Sequence, residues 1–159
     1  MIENLSQPGD LLFYKVTPQS GWKAKLIALV QLFRKEGVSS SYSHVAIRIW
    51  NKELQAEAVW PCTRISSINW DNSSIEVWRV KNINSWEIET SVSWSLKNTG
   101  RYYDIGQLLL GLFTLKNSYS CTEFVQTAFK QAEIILGKDA GRFIGPNELI
   151  DTKILERIF

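Results

Sequence analysis

The chain carries one histidine, His44, and two cysteines, Cys62 and Cys121. Any thiol–imidazole chemistry must therefore use His44. Cys121 follows Ser118-Tyr119-Ser120 and opens an apolar stripe at helical spacing: Phe124, Val125, Ala128, Phe129, Ala132 and Ile135. That spacing predicts a helix over 121–136 with Gly137 at its stop. A cysteine on the first turn of a helix lies among N–H groups that lack intrahelical acceptors, at the positive end of the helix dipole. Both features favour a thiolate, and the same N–H groups can receive an oxyanion. The plain alternative is a buried thiol packed as a small hydrophobe. Cys62, after Pro61, has no helix start and no evident partner, and reads as structural.

His44 opens a segment, 44–50, that reads as a strand. Residues 51–53 read as a turn, and 54–60 as the returning strand of a hairpin. Val45, Ile47 and Ile49 form the apolar face, so His44 points to the opposite face, beside Ala46. If the turn holds an even number of residues, opposed positions have an odd sum. His44 then shares its face with Gln55, Glu57 and Val59; an odd turn breaks that parity. A thiolate–imidazole pair works best with a third group that fixes the ring. Glu57 can accept the ring N–H, and Gln55 can do so less strongly. The ordinary alternative for Glu57 is a solvated carboxylate on a hairpin.

The elements that position these residues follow from pattern. A turn at Pro8-Gly9 precedes a strand over 10–16. Trp22, Leu26, Leu29, Val30 and Phe33 predict a helix over 22–35, stopped by Gly37. Residues 75–80 alternate as a strand. Asn84 and Glu87 form a capping-box pattern for a helix over about 85–97, closed by Gly100. Asp104 is placed to cap a short apolar helix through Phe113. Strands and helices in this order give an α+β class in one domain spanning 1–159.

Composition narrows the function classes. Lys and Arg number 18 against 16 Asp and Glu in 159 residues, with no basic half and no run of like charge, which argues against nucleic-acid binding. Seven Trp, seven Phe and five Tyr are too much apolar area to leave in water, so a folded core is expected. One histidine and no C-x-x-C or H-E-x-x-H pattern point to no metal site and no cofactor. The start of the sequence lacks the basic flank and apolar run of a secretory signal, and no stretch approaches the ~20 apolar residues of a membrane span. The default expectation is a cytoplasmic protein without an integral membrane segment, with export by a non-classical route as the alternative.

Five segments together resemble the circularly permuted branch of the NlpC/P60 superfamily of papain-like cysteine hydrolases. This branch includes YiiX-like enzymes and, more distantly, lecithin:retinol acyltransferase-like proteins. The segments are Gly9-Asp10-Leu11-Leu12-Phe13, Tyr42-Ser43-His44-Val45-Ala46-Ile47, Tyr102-Tyr103-Asp104, Tyr119-Ser120-Cys121-Thr122-Glu123-Phe124-Val125 and Gly145-Pro146-Asn147-Glu148-Leu149. They span almost the whole chain, and His44 precedes Cys121, the order of the permuted branch. The resemblance implies an antiparallel sheet packed with helices and a nucleophile at a helix N-terminus. It implies Cys121 as nucleophile, His44 as base, and a polar third residue on the following strand, a position that Glu57 matches. It also implies Asp10 and Tyr42 as residues lining the substrate cleft. The chain departs from many relatives in lacking a cell-wall-binding module or an apolar C-terminal anchor, and it carries an insert over 17–41.

The activity so implied is hydrolysis of an amide in a peptide or peptidoglycan stem through a Cys121 acyl-enzyme. Two alternatives stand beside it. One is a thioesterase or acyltransferase acting on lipid or acyl substrates. The other is a non-catalytic binding module on the same fold.

Overall fold

The computed structural model describes residues 4–17, 41–104, 118–137, 145–150 and 152–159. The predicted helix over 22–35 and the one from Asp104 to Phe113 fall outside these residues, as does most of the 17–41 insert. The described elements are β1 (Leu11–Lys15), β2 (Tyr42–Arg48), β3 (Leu54–Val59), β4 (Cys62–Ser67), β5 (Ile75–Val80), α1 (Ser85–Lys97), β6 (Tyr102–Tyr103), β7 (Ser118–Tyr119), α2 (Cys121–Lys130), α3 (Pro146–Ile150) and β8 (Leu155–Arg157). The fold is α+β, built on one eight-stranded sheet in the order β7-β6-β4-β3-β2-β1-β5-β8. Its pairings are antiparallel except β6 with β7, which run parallel.

Strand alternation sorts the apolar residues to two faces. Leu11, Phe13, Val45, Ile47, Ala56 and Ala58 pack with the α2 residues Phe124, Val125, Ala128 and Phe129 in the main core. Leu12, Ala46, Ile75 and Val77 form a smaller core on the other face. Burying each of these large side chains contributes about 1.5–3 kcal/mol relative to leaving it in water. Gly9 adopts φ +86° in the turn that feeds β1. Its N–H donates to the Arg48 carbonyl, which ties the turn to the end of β2.

The β2–β3 register decides the site. Ala46 pairs with Glu57, Ile47 with Ala56 and Arg48 with Gln55, so opposed positions have an odd sum. The connection is not the three-residue turn 51–53 expected from sequence, which would have reversed the parity. Ile49 N–H donates to the Leu54 carbonyl, and Trp50, half-exposed, joins the loop. The loop therefore holds the four residues 50–53. Within it, the Asn51 side chain accepts from Glu53 N–H. The returning strand does not end the meander. Trp60 and Pro61 form a tight turn into β4, which pairs along the whole of β3.

The α1 helix runs over Ser85–Lys97 with the Asn84–Glu87 capping box in place. The α2 helix is shorter than its apolar stripe implied: it ends at Lys130, and Ile135 is exposed. Glu133 takes a left-handed φ of 62°. Its N–H bonds to the Lys130 carbonyl, and the Ile134 N–H bonds to that of Phe129. This double closure is a Schellman motif that stops the helix before Gly137. Among the described residues, no helix is long and apolar enough to cross a membrane.

Candidate active site

Cys121 is the first residue of α2. The preceding Ser120 caps the helix: its hydroxyl accepts from Glu123 N–H, and the Glu123 carboxylate accepts from Ser120 N–H. This Ser-x-x-Glu box was in the sequence and gives the helix its start. The first intrahelical bond runs from Phe124 N–H to the Ser120 carbonyl. The N–H groups of Cys121 and Thr122 therefore lie outside the helical ladder, beside the thiol. Cys121 itself is buried to 6% exposure at the end of the main core.

The His44 ring makes two contacts. Its Nε2 lies 2.8 Å from Glu57 Oε2. The ring also interacts with the Cys121 side chain. Burial works against the charged ring, but hydrogen bonds and charge from Cys121 and Glu57 outweigh it and push the His44 pKa up to about 9. The carboxylate of Glu57 is also buried, which alone would raise its pKa. The hydrogen bond and charge of His44, with help from Ser66 and Arg64, lower it to about 2 instead. At neutral pH the pair is imidazolium and carboxylate.

Glu57 is held from three sides. Arg64 Nε donates to Oε1 at 2.9 Å, His44 faces Oε2, and Gln55 Nε2 donates to Oε2 at 3.3 Å. Gln55, the weaker candidate for the third position, thus supports Glu57 rather than the ring. Its own amide is fixed by Ser66 Oγ at 3.2 Å and by the Tyr14 hydroxyl, which donates to Oε1 at 2.6 Å. Tyr14 pairs with His44 across β1 and β2, and its ring centre lies 5.4 Å from the imidazole. Burial keeps its phenol protonated well past the usual range.

Three residues of this network were not identified from sequence. Arg64 was hidden because β4 was not read as a strand, although it stands directly opposite Glu57. Tyr14 follows from the β1–β2 register, which no local pattern sets. Tyr103 was quoted only as part of a motif. Burial first, then electrostatics from Cys121 and Asp104, holds its phenol protonated.

The other two sequence candidates have their polar groups committed elsewhere. Asp10 is fully buried and takes a bidentate contact from Arg79, with Nε at 2.8 Å and Nη2 at 2.9 Å, plus Gln7 N–H at 2.7 Å. It ties the β1 turn to β5. Tyr42 donates its hydroxyl to Glu76 and packs edge-on against Phe13 at 5.6 Å. Among the described residues, no cluster of His, Cys, Asp and Glu is arranged to hold a metal ion.

The pKa directions make the pair visible in stability. His44 is raised from 6.5 to about 9, so its contribution is full below pH 6.5 and is lost as pH climbs toward 9. Glu57 is lowered from 4.5 to about 2, so its contribution is full above pH 4.5 and is lost as pH falls toward 2. Urea midpoints should therefore form a plateau between these windows and fall on both sides. Glu57→Gln should flatten both limbs. A wild-type midpoint that stays level from neutral pH to 9 would refute the assignment.

Comparison of the chain with models of protein families and with curated proteins gives no match.

Proposed function

We propose that this chain is a cysteine hydrolase on a circularly permuted papain-like fold, and that it cleaves an amide in a peptide or peptidoglycan stem. The observation that carries this reading is the His44 ring, seated between the Cys121 thiol and a buried Glu57 carboxylate 2.8 Å from Nε2. An imidazolium beside sulfur favours the thiolate, the form that attacks carbonyl carbon. The attack forms a C–S bond and moves the carbonyl electron pair onto oxygen. The N–H groups of Cys121 and Thr122, outside the helical ladder, would receive that oxyanion. Collapse expels the amine, which takes its proton from His44. His44, now neutral, then draws a proton from water as the water attacks the acyl-enzyme, and thiolate and imidazolium are restored. Glu57 stays ionised and holds the ring in place.

The test is capture of the acyl-enzyme. The protein would be mixed with peptide amides, peptidoglycan stem peptides and acyl esters of increasing chain length, quenched in acid, and weighed intact. The expected result is an acyl adduct on Cys121 from an amide substrate, absent in Cys121→Ala. Adducts from long-chain esters alone would favour the thioesterase or acyltransferase alternative. A chain whose Cys121 gives no adduct with any substrate would be a binding module.

A further inference from the structure

The registers of three strands set one row of side chains across the sheet. Ala46 on β2 pairs with Glu57 on β3, and Glu57 pairs with Arg64 on β4. His44 lies two residues before Ala46 and so shares this face. The Glu57 carboxylate is thereby seated between the ring and a guanidinium. Its two oxygens have separate partners: Oε2 meets His44 Nε2 at 2.8 Å, and Oε1 accepts from Arg64 Nε at 2.9 Å. The other side chains on this carboxylate, Gln55 and Ser66, are neutral. Among the described residues, Arg64 is the one permanent cation paired with Glu57.

Exposure separates what Arg64 does for the fold from what it does for the ring. Its side chain is 54% exposed, while that of Glu57 is 7% exposed. An ion pair with one well-solvated partner contributes little to stability. Without Arg64, Glu57 would keep His44, Gln55 and Ser66, so the fold does not require an arginine at 64. The charge matters more to the ring. A carboxylate beside an imidazole favours the imidazolium, and a cation that shares the carboxylate works against it. The titratable groups that face His44 are Tyr14 on β1, Glu57 on β3 and Cys121 on α2, with Arg64 on β4 behind Glu57. Burial keeps Tyr14 protonated and neutral. Cys121 and Glu57 favour the charged ring, which leaves Arg64 as the charge in this set that opposes it.

That opposition has a use. A ring that gives a proton to a leaving amine and then takes one from water does both best when its acidity is matched to the working pH. We propose that Arg64 is a positioning residue for the proton transfers of His44: acting through Glu57, it limits the carboxylate's hold on the ring proton, so that the imidazolium can still give it up. This rests on the cysteine-hydrolase reading and adds a tuning charge to the same site. The test needs no known substrate. His44 is the single histidine of the chain, so isotope-labelled histidine gives one ring to follow by NMR. The full chain would be titrated as wild type, Arg64→Gln, Arg64→Lys, Glu57→Gln and Cys121→Ala.

Arg64→Gln should move the midpoint of the ring's titration up by roughly half to one pH unit, the scale of one partly screened charge several ångströms away. Arg64→Lys keeps the charge and should stay closer to wild type. Glu57→Gln should move the midpoint the opposite way, down. A merely structural arginine would change the urea midpoint and leave the ring's titration where it was. An Arg64→Gln ring that titrates with wild type, or that follows Glu57→Gln downward, would overturn the inference and leave the hydrolase reading intact. Cys121→Ala should lower the midpoint, because the ring loses its partner in the thiol. If Cys121→Ala leaves it unchanged, the thiol–imidazole pair is absent, the hydrolase reading fails, and the role of Arg64 fails with it.

Discussion

Iodoacetamide should alkylate Cys121 readily at pH 6 in a Cys62→Ser background, and His44→Ala should slow that reaction about 100-fold. An ordinary cysteine, with a pKa of about 8.5, holds only about 0.3% thiolate at pH 6. Fast reaction there requires a cation beside the sulfur. His44 supplies it: burial opposes the charged ring, but hydrogen bonds with Cys121 and Glu57 keep it protonated up to about pH 9. Glu57→Gln keeps a hydrogen-bond acceptor but loses the charge, so it should slow alkylation less than His44→Ala does. Intact mass across pH 4–9 measures all three proteins. Turnover and alkylation should part company at high pH. Amide cleavage needs the imidazolium to protonate the leaving amine, so it should fall as pH rises through 9, whereas alkylation needs only the thiolate and should not. Equal rates for wild type and His44→Ala at pH 6 would remove the physical basis of the catalytic reading.

How much of this arrangement was legible beforehand depends on the range of the interaction. The Cys121 helix start and the Asn84 cap are local, and the spacing of residues three apart reveals them. The shared face of His44 and Glu57 is semi-local: it needs only the parity of one hairpin loop. Even there, the assumed turn 51–53 was one residue short, because Trp50 reads as strand by type while the Ile49–Leu54 backbone bond closes the ladder before it. The end of α2 was hidden for a related reason. Ile135 keeps the apolar period, but Glu133 at φ 62° has already turned the chain. Arg64, Tyr14 and Tyr103 were out of reach for a different cause. Each meets the site through a strand pairing between distant segments, and one sequence does not encode such registers in any short window.

Asp10 has its carboxylate committed to Arg79 and Gln7 N–H, and its substitution should separate fold from chemistry. Asp10→Ala should lower stability by about 3–5 kcal/mol, the usual cost of breaking a buried pair from one side. The carboxylate is fully buried and takes two short contacts from Arg79 and one from Gln7 N–H. Removing it leaves the Arg79 guanidinium, itself mostly covered, without its partner and unties the Gly9 turn from β5. Asp10→Asn should cost less, because the amide oxygen still accepts one bond. Urea unfolding at pH 6 checks both. A residue that contacted substrate would behave otherwise, losing turnover with its midpoint unchanged. Below the denaturation midpoint, Asp10→Asn should instead keep the Cys121 alkylation rate near wild type, because none of its contacts reaches His44, Glu57 or the start of α2. A variant with full stability and a slowed Cys121 would place Asp10 in the cleft instead.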